Sequence, residues 1–502
     1  MMADKEISTV DSLKASFKSG VRLMPEAFSH LIDEAYKVYE IIDGAQGDGP
    51  TAGLKRDGQG KLAFNTHYSG GLNLEQGALA LSLKPAGGLS FDGGGYLKLD
   101  ADQQIQFADF FSLSRGARME IMQVLGLKRT MITRIVSPSP KENERFGASV
   151  SMSAAGDCLA VGMINRVYVY TRRKSGEWNI GKPIVFEPFQ NEYYGSVWDV
   201  SLDAAGDFLA VGCSVLGDGD RRGKAYVYAR LNGVWNTENP IVFPPPPGFQ
   251  YFGSTVSLNA AGDCLAVGGT HYPGVVYMYM RSNEIWDMEN PIQFWNPGNE
   301  SDNFGGSASL NAAGNHLVVG SQDIDLEYWF YVYERTNGVW DKENPVKFSA
   351  HFENGWFGLS MNEAGDRLAR GASVYRSSAG KVYVFTCTDG VWDMENRIKF
   401  LAPDSDAYFF GQSADLNNVG DRLIVGSSFA VYVYKYINNQ WDIENPIKVL
   451  NPSGNSGNSD DYDGFGSVRR NASGTILAVS ATSTRVCSVS EAGAIYIFEN
   501  VN

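Results

Sequence analysis

FGSTVSLNAAGDCLAVGG, residues 252–269, with VVYMYMRSNEIWDMENPIQF, residues 275–294, is the stretch whose reading decides the fold. It divides into a strand STVSLN (254–259), an AAGD turn (260–263), a second strand CLAVG (264–268), an alternating third strand VYMYMR (276–281) and a tight turn. IWDMENPIQF (285–294) follows, a fourth strand preceded by a polar stretch. Working outward, seven copies of this pattern occupy residues 146–502, with the glycine of the opening FG or YG pair at 147, 195, 253, 305, 358, 411 and 466. A second glycine, at 156, 206, 262, 314, 365, 420 and 474, sits where the first turn needs positive φ. Four short strands per 50 or so residues, repeated seven times, predict a mainly β chain whose C-terminal part is a seven-bladed β-propeller.

The seventh copy ends at AIYIFENVN and has no W..ENPI.F segment. MITRIVSPSP (131–140), just before the first copy, resembles the PIVFPPPP of the second (240–247). A strand over 131–136 is therefore expected to complete the last blade and latch the ring, which removes the open edges of a linear array. The propeller is placed at 128–502.

The FG pair followed by LAVG and VYVY resembles the FG-GAP repeats of integrin-type propellers and of bacterial surface proteins. That resemblance covers roughly 70% of the chain. It implies the propeller fold, and it implies calcium loops between the second and third strands of some blades.

The N-terminal third reads differently. Residues 1–50 are expected to be helical, with Asp11 as a cap, Pro25 at a first turn, and Phe28, Leu31, Ile32, Ala35 and Val38 on one apolar stripe. Residues 53–104 carry short Gly-punctuated units with leading leucines at 54, 72 and 89. One such thread has too little apolar surface for a core of its own. Residues 105–127 read as a connecting helix. The repeats at 53–104 resemble viral and phage fibre shafts, in which three chains wind together. The preceding LK..F..G...P..F..LID.A pattern (13–35) is similar to the N-termini of phage-tail and contractile-injection-system fibre proteins. These resemblances imply a homotrimer attached to a tail or baseplate through its N-terminus.

Composition bounds function. The chain has 502 residues, 42 Lys and Arg against 57 Asp and Glu, and a net charge of −15. A duplex phosphate backbone would repel it, so nucleic acid is a poor partner, and so is an anionic membrane. There is no apolar signal segment and no run of 18 apolar residues, so synthesis in the cytosol without membrane insertion is expected, with later incorporation into a particle. Cys158, Cys213, Cys264, Cys387 and Cys487 lack CxxC spacing and read as small hydrophobes.

In a four-stranded meander the 1–2 and 3–4 turns share one face, and the 2–3 and 4–1 loops share the other. The first set is nearly uniform here and the second varies in every copy. The variable face is the expected binding surface. Six tryptophans, at 178, 235, 286, 340, 392 and 441, occupy one repeat slot and are expected to pack the blades. Trp198, Trp295, Trp329 and Trp356 fall outside it, and Trp295 and Trp356 are placed in 4–1 loops; these four are the candidate ligand-binding residues. Asp218, Asp220, Asp323 and Asp325 are candidate calcium ligands, and Asp460, Asp461 and Asp463 form a further acidic cluster. The full DxDxDG series is absent, and solvated acidic loops are the plain alternative.

No GxSxG, HExxH or phosphate-binding glycine loop occurs, and the five histidines are dispersed. Binding rather than catalysis is expected. The leading reading is a receptor-binding tail-fibre-like adhesin for a cell-surface glycan or protein. The alternatives are a scaffold propeller for protein–protein interaction and an acidic-site glycosidase.

Overall fold

A computed structural model describes the strand backbone of three small pairs within residues 54–99 and most of residues 131–501. Outside the described residues lie 1–53, 100–130, most of the connections between 54 and 99, and the segments 189–194, 216–222, 248–250, 270–273, 298–303, 323–327, 350–357, 374–379, 405–406, 453–463, 485, 487–488 and 502. The helices expected over 1–50 and 105–127 fall there. The chain divides into two compact units, residues 1–129 with 452–454, and residues 130–451 with 455–502.

In the first unit Leu54–Arg56 pairs with Leu62–Phe64, Leu72–Glu75 with Ala78–Leu81, and Leu89–Phe91 with Leu97–Leu99, all antiparallel.

The second unit is a seven-bladed β-propeller built of seven antiparallel sheets. Blade 3 shows the plan. Phe252–Leu258 is innermost, Cys264–Gly269 is second, Val275–Ser282 is third, and Ile285–Trp286 with Ile292–Trp295 forms an interrupted outer strand. The seventh sheet runs Phe465–Arg470, Ile476–Ala481, Ala494–Glu499 and then Met131–Val136, whose Ile135 lies opposite Ile495.

The repeat letters have local causes. At the head of the first turn Asn259 accepts the backbone N–H groups of Asp263 (3.1 Å) and Cys264 (3.0 Å), while its amide donates to the Asp263 carboxylate at 2.7 Å. Ser153, Asp203, Asn311, Asn362, Asn417 and Asn471 hold the equivalent turns. A shortage of space explains the glycine of LAVG. A Cβ on Gly268 would strike the carbonyl oxygen of Gly305 in the next blade, and one on Gly426 would strike that of Gly466.

The slot tryptophans pack the blades together. Trp286 meets Phe243 of the preceding blade edge to face at 5.5 Å, and Trp235–Phe186, Trp340–Phe294, Trp392–Phe348 and Trp441–Phe400 repeat the contact. The closing seam differs. The outer strand there is Met131–Val136, which offers no phenylalanine, and the Trp178 indole instead donates to the buried Glu499 carboxylate at 3.1 Å. Arg172 also donates to Glu499, at 2.8 Å. Cys158, Cys213 and Cys264 are buried thiols, and burial pushes Cys158 and Cys264 up to about 12. No helix among the described residues is long and apolar enough to cross a membrane.

Candidate functional site

The two faces of the propeller are built differently, and the difference begins in the backbone. Six of the seven first turns donate a backbone N–H to the first turn of the next blade: Ala154 to Ala204, Ala204 to Ala260, Ala260 to Ala312, Glu363 to Asn418, Asn418 to Ala472, and Ala472 back to Ala154, at 2.9–3.2 Å. Between blades 4 and 5 the Asn311 side-chain amide takes over, donating to the Glu363 carbonyl at 3.2 Å. This belt runs round the turn face and occupies its backbone groups with one another.

Pegs of serine hold the innermost strands together. Ser151, Ser201, Ser257, Ser360 and Ser413 each accept, through Oγ, a backbone N–H of the following blade, from Leu202, Leu258, Leu310, Leu416 and Val468, at 2.9–3.1 Å. Charged residues interrupt this ring. Asp199 accepts from Ser149 Oγ (2.9 Å), the Val200 N–H (2.9 Å), Thr255 Oγ1 (3.1 Å) and the Val256 N–H (3.1 Å). Burial raises its carboxyl above the usual range, against the pull of the Val256 N–H and of Arg469. Asp415 stands where the first five copies have serine and Arg470 where the other copies have leucine or methionine, and the two pair at 3.4 Å.

The opposite face carries the variable loops. Asp218, Asp220, Asp323, Asp325, Asp460, Asp461, Asp463 and Trp356 lie outside the described residues. Among the described residues no group of three or more His, Cys, Asp or Glu side chains could hold a metal.

The other three candidate tryptophans are all at strand positions. Trp198 lies in Gly195–Leu202, at a bulge between Val197 and Asp199; it is 43% exposed, and its ring centroid is 6.3 Å from that of Tyr251, at 49°. Trp295 ends Ile292–Trp295 and is not in the loop, because backbone pairing with Val275 carries the outer strand one residue beyond the IQF motif; it is 44% exposed. Trp329 belongs to Tyr328–Thr336 and packs half-buried against the core between blades 3 and 4. Lys347 Nζ covers its ring at 3.7 Å. The structure joins Trp198 with Tyr251 and Trp329 with Lys347. The repeat pattern does not show that Tyr251 meets Trp198 or that Lys347 covers Trp329, because the partners lie 53 and 18 residues apart.

No family model matches the chain, and no curated protein matches it. Among solved structures, a chain of one described as "Crystal Structure of Mitotic Checkpoint Complex" is 13% identical, with a TM-score of 0.47, over 73% of this chain and 90% of that chain. Seven sheets, paired strand by strand from Met131 to Glu499, make this chain a seven-bladed β-propeller.

Proposed function

We propose that the chain is a binding protein without turnover: a receptor-binding, tail-fibre-like adhesin with an FG-GAP-type propeller that recognises a cell-surface glycan or protein. In this reading the N-terminal segment docks on a particle's tail or baseplate, and the 53–104 repeats set a homotrimer. The observation that carries the reading is the contrast between faces. On one, the first turns hydrogen-bond to one another in a belt; on the other, the connections vary in sequence and range in length, the 2–3 loop from about four residues in the first blade to about a dozen in the second. A rigid support with one diversified face is the arrangement binding proteins use. The exposure of Trp295 favours ligand contact over the scaffold alternative, which would have it buried between blades.

The test is to probe the full-length chain against arrayed cell-surface glycans and proteins. Trp295→Ala on the loop face is compared with Val339→Asp on the turn face. Binding lost in the first variant and kept in the second supports the reading; the reverse pattern would move the site to the other face. Turnover of a chromogenic glycoside would replace the reading with the glycosidase one.

A further inference from the structure

Seven junctions join the blades, and one is packed unlike the rest. Each junction brings together a third-strand residue of one blade and a second-strand residue of the next. The third-strand residue is Val167, Ala225, Val276, Val382, Val431 or Ile495 at six junctions, and Phe330 in blade 4. The second-strand residue is the valine of LAVG at six junctions, as at Val267, and Arg370 in blade 5. Both exceptions fall between blades 4 and 5, with Arg370 Cζ 5.8 Å from the centre of the Phe330 ring. Arg370 is 5% exposed. This pair is far bulkier than valine against valine, and a buried guanidinium carries a desolvation cost that an aliphatic side chain does not.

The two blades stand apart there. A Cβ added at Gly212, Gly268, Gly371 or Gly426 would strike a carbonyl oxygen of the next blade, and one at Gly162 would touch Val197 of the next blade. At Gly320, in blade 4, the three nearest described atoms all belong to Ser307 of the same blade. The fastenings lapse as well. Ser257 and Ser360 accept from Leu310 and Leu416, but Ser309, in the same slot, accepts from no backbone N–H among the described residues. The belt's backbone bond is missing between Ala312 and Glu363, and the Asn311 amide, 3.2 Å from the Glu363 carbonyl, crosses in its place. The closing junction also lacks a peg, since Arg469 fills that slot, yet it is well fastened. It keeps the belt bond from Ala472 to Ala154 at 2.9 Å. Asn143, Arg145 and Phe146 add backbone donations to Ser490, Glu491 and Ala492 at 3.1–3.4 Å, beside the two bonds to Glu499.

We infer that the junction between blades 4 and 5, wedged by Phe330 and Arg370, is the parting line of the ring, opening and reclosing while the other six junctions stay shut. Every sheet lies within one blade apart from the latch strand of the seventh, so parting here breaks no strand pairing. Local opening follows the least-secured contacts of a structure, and here those lie opposite the place where the chain's ends are joined. The device is a ring with one soft junction, able to change the spacing of two loop-bearing blades whatever ligand the loop face takes.

Thiol trapping tests it in the full-length chain. Val318→Cys places a thiol at a buried position facing the junction between blades 4 and 5, and Ala478→Cys places one facing the closing junction. Native Cys264, buried toward blade 4, reports on the junction between blades 3 and 4. Each is exposed to iodoacetamide under native conditions, and labelling is followed peptide by peptide by mass. The expected result is labelling of Val318→Cys at least tenfold faster than of Ala478→Cys or of Cys264. Adding Arg370→Val, which restores the residue of the other junctions, should slow it at least fivefold. Equal rates at the three sites, or the fastest rate at Ala478→Cys, would overturn the parting line. Faster labelling with Arg370→Val would make the guanidinium a fastener and overturn the wedge. Urea unfolding of Arg370→Val without a new thiol gives a second reading should Val318→Cys fold poorly: its midpoint is expected to rise, and a fall would overturn the wedge likewise.

Discussion

Single positions carry information that the repeat average conceals. The slot filled by Cys158, Phe208 and Cys264 is held in blade 4 by His316, whose Nδ1 lies 3.0 Å from Asn315 Oδ1. Burial lowers the His316 pKa below its ordinary value of 6.5, against the opposing pull of Glu334 and Asp366. On acidification through 6.5 the unfolded chain takes up a proton there before the folded chain does, so His316 subtracts stability as pH falls through that window. His316→Cys, the residue of blades 1 and 3, should therefore show a smaller drop in melting midpoint between pH 7 and pH 5 than the parent chain. An equal drop would assign the acid sensitivity to other groups. At Gly426 the constraint is steric, since an added Cβ would meet the Gly466 carbonyl oxygen, which cannot move without shifting the next blade. Gly426→Ala should cost about 3 kcal/mol, the upper part of the range for overpacking, in urea unfolding.

At the level of strands and hairpins, the junctions between blades determine how firmly the ring holds. Trp286 is buried against Phe243, and its truncation to alanine should cost about 3–5 kcal/mol, as for other large buried aromatics. The closing junction depends instead on the Glu499 carboxylate, shared by Trp178 and Arg172. Glu499→Ala leaves a buried indole N–H without that acceptor and should cost about 1–3 kcal/mol, with Glu499→Gln recovering part of the loss. Chemical denaturation of the three variants against the parent checks both magnitudes. Much of this level was legible in the sequence. The FG spacing marked out the blades, and the glycine of the first turn has the positive φ it was assigned, 65–78° across the seven copies. The tryptophan slot likewise read as packing. The pairs that depart from the repeat were not legible. Asp415 with Arg470, Glu499 with Trp178, and Trp198 with Tyr251 are joined across 53 to 321 residues, and periodicity reports only what every copy shares. Trp295 was read as a loop residue for a related reason, since the end of a strand is set by its backbone partner, here Val275, as much as by its own letters.

Over the whole molecule, the two units differ in what they can bury alone. The propeller closes on itself and leaves no unpaired end blade, so each of its seven sheets has two neighbours. In the first unit each pair has strands of only three or four residues, and an isolated two-stranded hairpin is at best marginally stable in water. Association with copies of itself would supply strands of that kind with a core, which is the physical content of the proposed shaft. The expected outcome is a trimer for the full-length chain and a monomer for residues 128–502, measured as solution mass by light scattering. Cooperative unfolding should be retained in the shorter chain, because the Met131–Val136 strand that pairs with Ala494–Glu499 remains in it. Beginning the chain instead at Ser137 removes that strand and exposes the backbone edge of Ala494–Glu499, so the melting midpoint should fall and aggregation should rise. Monomers at both lengths would remove the shaft from the proposal and leave a propeller that meets its ligand one copy at a time. Trimers at both lengths would place the association in the blades themselves.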